Sequence, residues 1–221
     1  MAEVPVAGPS IYWRIDEWFP DLPELARVGF KIFNDELSKS NRFANLVSPK
    51  TLQMADVIHF ADSICGGRLI LAEISEGSTI FDLGGGNGFP GVVMAAIAPR
   101  HKFVIVDSDG KKCEFLRGVV TLLNLKNVEI RNVAIDSLPL NCVEFGIERG
   151  LGNVSKSMLM ARKCFKTGGS FYHFKGEQWS MEVGEIPTQL CSVWTPALVG
   201  EYKLPIGPVK FAIVKTTKIQ K

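Results

Sequence analysis

The apolar positions of the chain change rhythm near residue 79. Before it, "LPELARVGFKIFNDELSKSN" carries Leu25, Val28, Phe30, Ile32, Phe33 and Leu37 at spacings that follow a helical stripe rather than alternation. A second helix is predicted over Pro49 to Ile64, with Ser48 as N-cap and Pro49 at the first helical position, where a missing N–H costs nothing. Pro5, Pro9, Pro20 and Pro23 punctuate the opening. From Thr79 onward short apolar runs alternate with helical segments: "TIFDLG" strand, "PGVVMAAIA" helix, "KFVIVD" strand, "KCEFLRGVVTLLN" helix, "NVEIRN" and "CVEFGIE" strands, "VSKSMLMARKCF" helix, "GSFYHFK" strand. This is the pattern of a doubly wound α/β sheet. The tail "VKFAIVKTT" forms a last strand behind "EYKLPIGP", a link too short for a helical crossover, so an antiparallel final pair is expected.

The first strand runs into "FDLGGGNGFPGVV", with glycine at 84, 85, 86, 88 and 91. The loop opens a helix, so its amides and the positive helix end face the crevice beyond the strand ends, where ligands of open α/β sheets bind. Gly86-x-Gly88-x-x-Gly91 satisfies a dinucleotide fingerprint, and Asp107, ending the next strand, stands where a ribose-binding acid belongs. A loop for the methionine part of S-adenosylmethionine fits equally, and the plain structural alternative is that some of these glycines simply permit tight strand–helix packing.

Composition narrows the classes. At 221 residues and 46% hydrophobic, the chain can bury one sizeable core. No apolar run is long enough to cross a bilayer, and "MAEVPVAGPS" lacks the segments of a signal peptide, so a cytoplasmic protein is expected. Cys65, Cys113, Cys142, Cys164 and Cys191 form no C-x-x-C pair, which suits reduced buried thiols, and no metal site is expected. The net charge of +2 is too small to declare a nucleic-acid partner, but its distribution is uneven. The first forty residues lean acidic (Glu3, Asp16, Glu17, Asp21, Glu24, Asp35, Glu36), whereas Arg149, Lys156, Arg162, Lys163, Lys166 and Lys175 lie in an acid-free stretch. That stretch is either a solvated face or a phosphate-facing patch.

Asp82, Gly84, Gly86 and Gly88 together make D-x-G-x-G-x-G, the pattern of class I methyltransferases, behind a long helical preamble. "FDLGGGNGFPG", "VIVDSDGKKCEFL" and "LKNV" resemble the bacterial small-subunit ribosomal RNA guanine-N7 methyltransferase family, also called glucose-inhibited division protein B. Asn41, Asn45 and Leu46 match its N-x-x-x-N-L, His59, Asp62 and Ser63 its H-x-x-D-S, and Lys175 with Gly176 its K-G. Phe89-Pro90-Gly91 is the most discriminating piece. Departures occur at Ser40, at Ala134-Ile135-Asp136 in place of R-A-E, at Glu148 and Gly150 on either side of Arg149, and at Val209 and Lys210, where an arginine is expected.

The resemblance implies a class I S-adenosylmethionine-dependent methyltransferase fold, a Rossmann-like, mostly parallel seven-stranded sheet with an antiparallel last strand. A helical extension (1–70) and a methyltransferase domain (71–221) would form one compact, monomeric unit. It implies S-adenosylmethionine as cofactor and a guanosine of 16S ribosomal RNA, in the small ribosomal subunit, as acceptor. Cofactor-binding candidates are Asp82, Gly84, Gly86, Gly88, Phe89, Asp107, Ser108, Ile135, Asp136 and Arg149, and Asp82 is open to a second role, holding the loop through its amides. Arg149 and Lys175, expected at strand ends on the same crevice, are the catalytic candidates; a surface salt bridge and a turn are their plain structural roles.

His59 and Asp62, one helical turn apart, suit packing or RNA docking. Trp13, Trp18, Phe19, Phe30 and Phe33 read as core, and Cys113 and Cys164 as space fillers. The chemistry asks for no general base, because guanine N7 already presents a lone pair. Alignment of N7, methyl and sulfur is the need, an effect worth roughly 7–11 kcal/mol in well-organised systems. A nicotinamide-dependent oxidoreductase and a non-catalytic cofactor-binding member of the fold are the alternatives.

Overall fold

The computed structural model describes residues 13–220. Pro5, Pro9, Glu3 and the opening stretch lie outside the described residues. A one-turn helix α1 (Ile15–Trp18) leads into α2 (Glu24–Ala44). The apolar residues of α2 make two neighbouring stripes, and only one meets the core. Ala26, Phe30, Phe33 and Leu37 are buried, whereas Leu25, Val28 and Ile32, expected in the same stripe, turn outward. Asn45 ends α2 in the left-handed region, and the Asn41 side chain ties the exit by bonding both Val47 N and Val47 O, at 2.9 and 3.0 Å.

Ser48 caps α3 (Pro49–Leu52) as expected, accepting from Thr51 N at 3.2 Å. The single helix expected to Ile64 is instead broken. After α3 comes a π-helical segment, Asp56–Ala61, which runs directly into α4 (Asp62–Glu73). Asp56 anchors this segment by pairing with Arg14 at 2.8 Å.

The sheet then builds through β1 (Thr79–Leu83), α5 (Gly91–Ile97), β2 (Lys102–Asp107), α6 (Gly110–Leu122), β3 (Val128–Asn132) and β4 (Val143–Arg149). It continues with α7 (Val154–Ala161), β5 (Phe165–Lys175), α8 (Trp179–Gly184), α9 (Thr188–Cys191), β6 (Trp194–Lys203) and β7 (Lys210–Lys218). The strand order is β3-β2-β1-β4-β5-β7-β6 in one seven-stranded sheet. β1 to β5 pair in parallel, and β7 lies antiparallel between β5 and β6. The link expected to begin at Glu201 begins later, because Glu201, Tyr202 and Lys203 pair with Ala212, Phe211 and Lys210 as the end of β6. α7 is shorter than expected, closing at Ala161.

Alternation along the strands sorts the core into two faces. Ile80, Phe103, Ile147, Tyr172 and Ile213 pack towards α4 and α5, and Phe81, Val104, Val106 and Phe171 towards α7 and Trp194. The helical preamble joins the first face: Phe33 stacks on Phe89 of the glycine loop at 4.8 Å, and Phe60 meets the same ring edge-on at 4.9 Å. Phe19, Phe30 and Phe33 are core, with Trp13 and Trp18 packed against it. Cys113 and Cys164 are buried, but Cys65 and Cys142 are only partly so and Cys191 is exposed, a departure from the expected buried set. Among the described residues no helix is long and apolar enough to cross a membrane.

Candidate active site

The loop between β1 and α5 is built around a buried carboxylate. Asp82 Oδ2 accepts from Gly91 N at 2.9 Å, and a side chain at Gly85 or Gly91 would collide with that carboxylate. Gly84 lies at φ 80 with Leu151 of the β4–α7 connection directly over it, where an added Cβ would stand 2.9 Å from Leu151 Cδ1. A side chain at Gly86 would strike Asp107 and Lys112. The loop therefore exposes backbone rather than side chains towards the strand ends.

Beyond it lie two open cavities. The first, about 750 Å³, is bordered by Gly84, Asp107, Ser108, Ile135, Asp136 and Leu151, with Leu159, Met160, Arg162 and Lys163 from α7 and its exit. Asp107 is held by its own turn, its Oδ1 accepting from Asp109 N at 2.8 Å. The second, about 490 Å³, is bordered by His59, Asp62, Gly86, Asn87, Arg149 and Lys175, and by an aromatic wall of Phe174, Tyr202 and Phe211. Gly84, Lys112 and Gly150 border both.

Apart from Lys112, the charged side chains around the second cavity are paired. Arg149 donates to Asp62 Oδ2 at 2.6 Å, to Ile58 O at 2.5 Å and to His59 Nδ1 at 3.2 Å. Burial, and then the Arg149 charge, pushes His59 down to about 3, so its ring is neutral at pH 7. Arginine only donates, which makes Nδ1 the acceptor and puts the proton on Nε2. Tyr202 donates to the other Asp62 oxygen at 2.7 Å, and burial and Asp62 hold its hydroxyl above the usual range. The π-helical segment thus presents Ile58 O, His59 and Asp62 together to the end of β4.

Lys175 donates to Gly152 O at 2.6 Å and pairs with Glu148 at 3.0 Å. Glu148 also takes a hydrogen bond from Leu151 N at 3.1 Å and contacts His173 Nδ1 at 3.0 Å. Burial opposes ionisation of Glu148, but the His173 hydrogen bond and the Lys175 charge outweigh it and leave its pKa below the ordinary carboxylate value. Burial likewise holds His173 down and neutral.

A family profile described as GidB, rRNA small subunit methyltransferase G, matches residues 28–194. The chain belongs to this family. A ribosomal RNA small subunit methyltransferase G 3 from Bdellovibrio bacteriovorus is 53% identical over 213 residues, covering 96% of each chain. A ribosomal RNA small subunit methyltransferase G from Helicobacter hepaticus is 27% identical over 77% of this chain and 91% of its own. Among solved structures, a SAM-dependent methyltransferase from Aquifex aeolicus superposes with TM-score 0.54 at 18% identity, over 82% of this chain and 98% of that one. TYW2 of P. horikoshii, in complex with MeSAdo, gives 0.55 at 15% identity over 77% and 67%. These structures share the class I methyltransferase fold. Family and fold together favour the methyltransferase reading of the glycine loop over the nicotinamide one.

Within this GidB-family fold the residues expected to bind cofactor divide. Gly84, Asp107, Ser108, Ile135 and Asp136 border the first cavity, and Gly86 the second. Asp82, Gly88 and Phe89 border neither: Asp82 is fully buried beneath the loop, Gly88 is filled over by Phe33, and Phe89 is 1% exposed in the aromatic core. Of the two roles open to Asp82, the geometry is that of loop support. Arg149 borders only the second cavity, because Asp62, His59 and Ile58 draw its side chain towards the preamble. His59 and Asp62, expected to serve packing or RNA docking, border that cavity too. Tyr202, Phe211, Asn87 and Lys112 carry no functional signal in the sequence, where Lys112 opens a helix, Tyr202 falls in the expected link and Phe211 in the last strand.

Proposed function

We propose that the protein transfers a methyl group from S-adenosylmethionine to N7 of a guanosine in 16S ribosomal RNA of the small subunit. The observation that carries this reading is the pair of cavities meeting at Gly84, Lys112 and Gly150, in a chain of this family. When bound, S-adenosylmethionine supplies an electrophilic methyl on a sulfonium. The residues of the first cavity suit it. The Gly84 and Gly86 backbone leaves a cradle that a Cβ would fill, Asp107 accepts from ribose hydroxyls beside Ser108, and Ile135 and Asp136 border the adenine, with Leu159 and Met160 as its apolar surroundings. Asp82, Gly88 and Phe89 support this cradle from beneath.

The second cavity suits a purine extruded from its stack, lying against the Tyr202–Phe211 pair, whose rings stack at 5.8 Å. N7 has its lone pair in the neutral base, so the protein's contribution is alignment and exclusion of water. Neutral His59 fits a site that moves no proton. Arg149, fixed by three partners, holds the preamble segment against the acceptor cavity, so the extension (1–70) and the sheet domain (71–221) act as one unit. The protein works as a cytoplasmic monomer on the small subunit, and Lys112, Arg162 and Lys163 meet RNA phosphates.

The test is methyl transfer from radiolabelled S-adenosylmethionine to small subunits of a strain deleted for this gene, with the modified base mapped. Label at one guanine N7 is expected. Tight cofactor binding without label on any subunit would favour a different acceptor or a non-catalytic role, and tight NADH binding would restore the oxidoreductase reading. Arg149→Ala is expected to depress turnover while sparing cofactor affinity.

A further inference from the structure

The wall between the two cavities is formed by Gly150, Leu151 and Gly152, the first three residues of the four-residue connection between β4 and α7, which Asn153 completes as the N-cap of α7. Its backbone does not fix itself: Gly150 and Gly152 lie at φ 78 and 157, a region open to glycine, and a side chain at Gly150 would meet nothing. Leu151 between them lies over Gly84 and borders the first cavity. What fastens the connection comes from beneath. Glu148 Oε2 accepts from Leu151 N, and Lys175 Nζ donates to Gly152 O while pairing with Glu148 Oε1. Glu182 of α8 stands 3.5 Å from the same ammonium and accepts from Val154 N at 3.1 Å, carrying the fastening into the first turn of α7. Lys175 is 7% exposed and Glu148 not at all, so this is an interior device rather than a surface pair.

We infer that Glu148 and Lys175 form a latch that sets the Gly150–Gly152 wall over the Gly84 cradle, making both positioning residues for the cofactor rather than contacts for RNA phosphate. The carboxylate gives one oxygen to the wall's amide and shares the other between the lysine and His173, and the lysine donates to the wall's carbonyl with two carboxylates within 3.5 Å of its ammonium. A phosphate would have to displace partners already in place. Removing the Glu148 charge leaves buried Lys175 with only Glu182 at 3.5 Å, and removing the Lys175 charge leaves buried Glu148 with only neutral His173 and the Leu151 amide, and either loss loosens the wall. This inference rests on reading the first cavity as the S-adenosylmethionine site.

Full-length wild type, Glu148→Gln, Lys175→Met and the double variant would be titrated with S-adenosylhomocysteine by calorimetry, with hydrogen exchange followed at the Leu151 amide. Each single variant is expected to weaken binding by about tenfold and to speed Leu151 exchange, and the double to lose less than the two losses combined. Lys175→Met is expected to leave the salt slope of RNA binding at its wild-type value. Wild-type cofactor affinity in a folded Lys175→Met, with an RNA salt slope reduced by about one, would overturn the latch and make Lys175 a phosphate contact. If Lys175→Met does not fold, Glu148→Gln decides, and unchanged Leu151 exchange there overturns the proposal. A wild-type chain that fails to bind S-adenosylhomocysteine counts against the cavity reading alone, and the latch is then judged by exchange at Leu151.

Discussion

Asp82 is a carboxyl group placed where water does not reach. Burial raises its pKa from 3.8 to about 7, with Asp107 and Glu148 adding to the rise and the Gly91 amide and Arg149 working against it. The sign follows from proton counts. Between those two values the folded chain holds a proton that the unfolded chain has released, so this group's contribution to stability falls as pH rises through the window and is level on either side. Asparagine keeps an oxygen for Gly91 N and never ionises. Asp82→Asn is therefore expected to gain on wild type from about pH 4 to pH 7, by on the order of 2 kcal/mol once relaxation is allowed for. Thermal melts of both proteins across that range check it, and parallel pH profiles would contradict it. Asp107 is a different case, half-exposed at a cavity edge. Asp107→Ala is expected to weaken S-adenosylmethionine by about tenfold or more, the size of a lost charge-assisted hydrogen bond, with little change in melting temperature. A titration giving wild-type affinity would remove it from the site.

The elements are joined by one aromatic cluster. Phe33 of α2, Phe60 and His59 of the π-helical segment, and Phe89 of the glycine loop pack ring on ring, with centroids 4.8 to 4.9 Å from Phe89. Phe89→Ala would leave a void under the loop that three separate elements must close. A loss of about 3–5 kcal/mol in urea unfolding is expected, accompanied by weaker cofactor binding. A loss below about 1 kcal/mol would mean that the preamble is not coupled to the loop. Phe89 also shows what the sequence can convey. Its place in the loop was legible from the glycine pattern, but not its direction, which depends on Phe33 arriving from another helix. The inner strands were legible because each is a short apolar run. β6 was not, since Pro196, Gly200 and its scattered exposed positions blur any alternation. Arg149 and Asp62 each stand out in the sequence, but they lie 87 positions apart, and only the sheet's closure brings them together. Tyr202 reaches the same carboxylate across 140 positions and carries no local signal at all.

Across the whole molecule the small net charge conceals a separation. Of the described acids in the first forty residues, Asp16 pairs with Arg27 and Lys31, Asp21 with Arg68 and Glu36 with Lys39. Within the basic stretch Lys166 pairs with Glu144, and Arg149 and Lys175 are committed internally. Lys112, Arg162 and Lys163, at the edge of the first cavity, have no ion-pair partner within 4.0 Å among the described residues. A polyanion would find its charge there. Arg162→Ala with Lys163→Ala is expected to weaken a ribosomal RNA fragment evenly across sequences and to lower the slope of log K against log salt by about 2. Phe211→Ala acts on the other component of the same encounter. It is expected to cost about 1–3 kcal/mol of base stacking while leaving the slope unchanged, because no phosphate contact is lost. Fluorescence anisotropy over a salt series separates the two variants by slope rather than by affinity. Equal slopes in all three proteins would mean that RNA enters from another side, and a lowered slope for Phe211→Ala would mean that the ring holds a cation in place rather than a base.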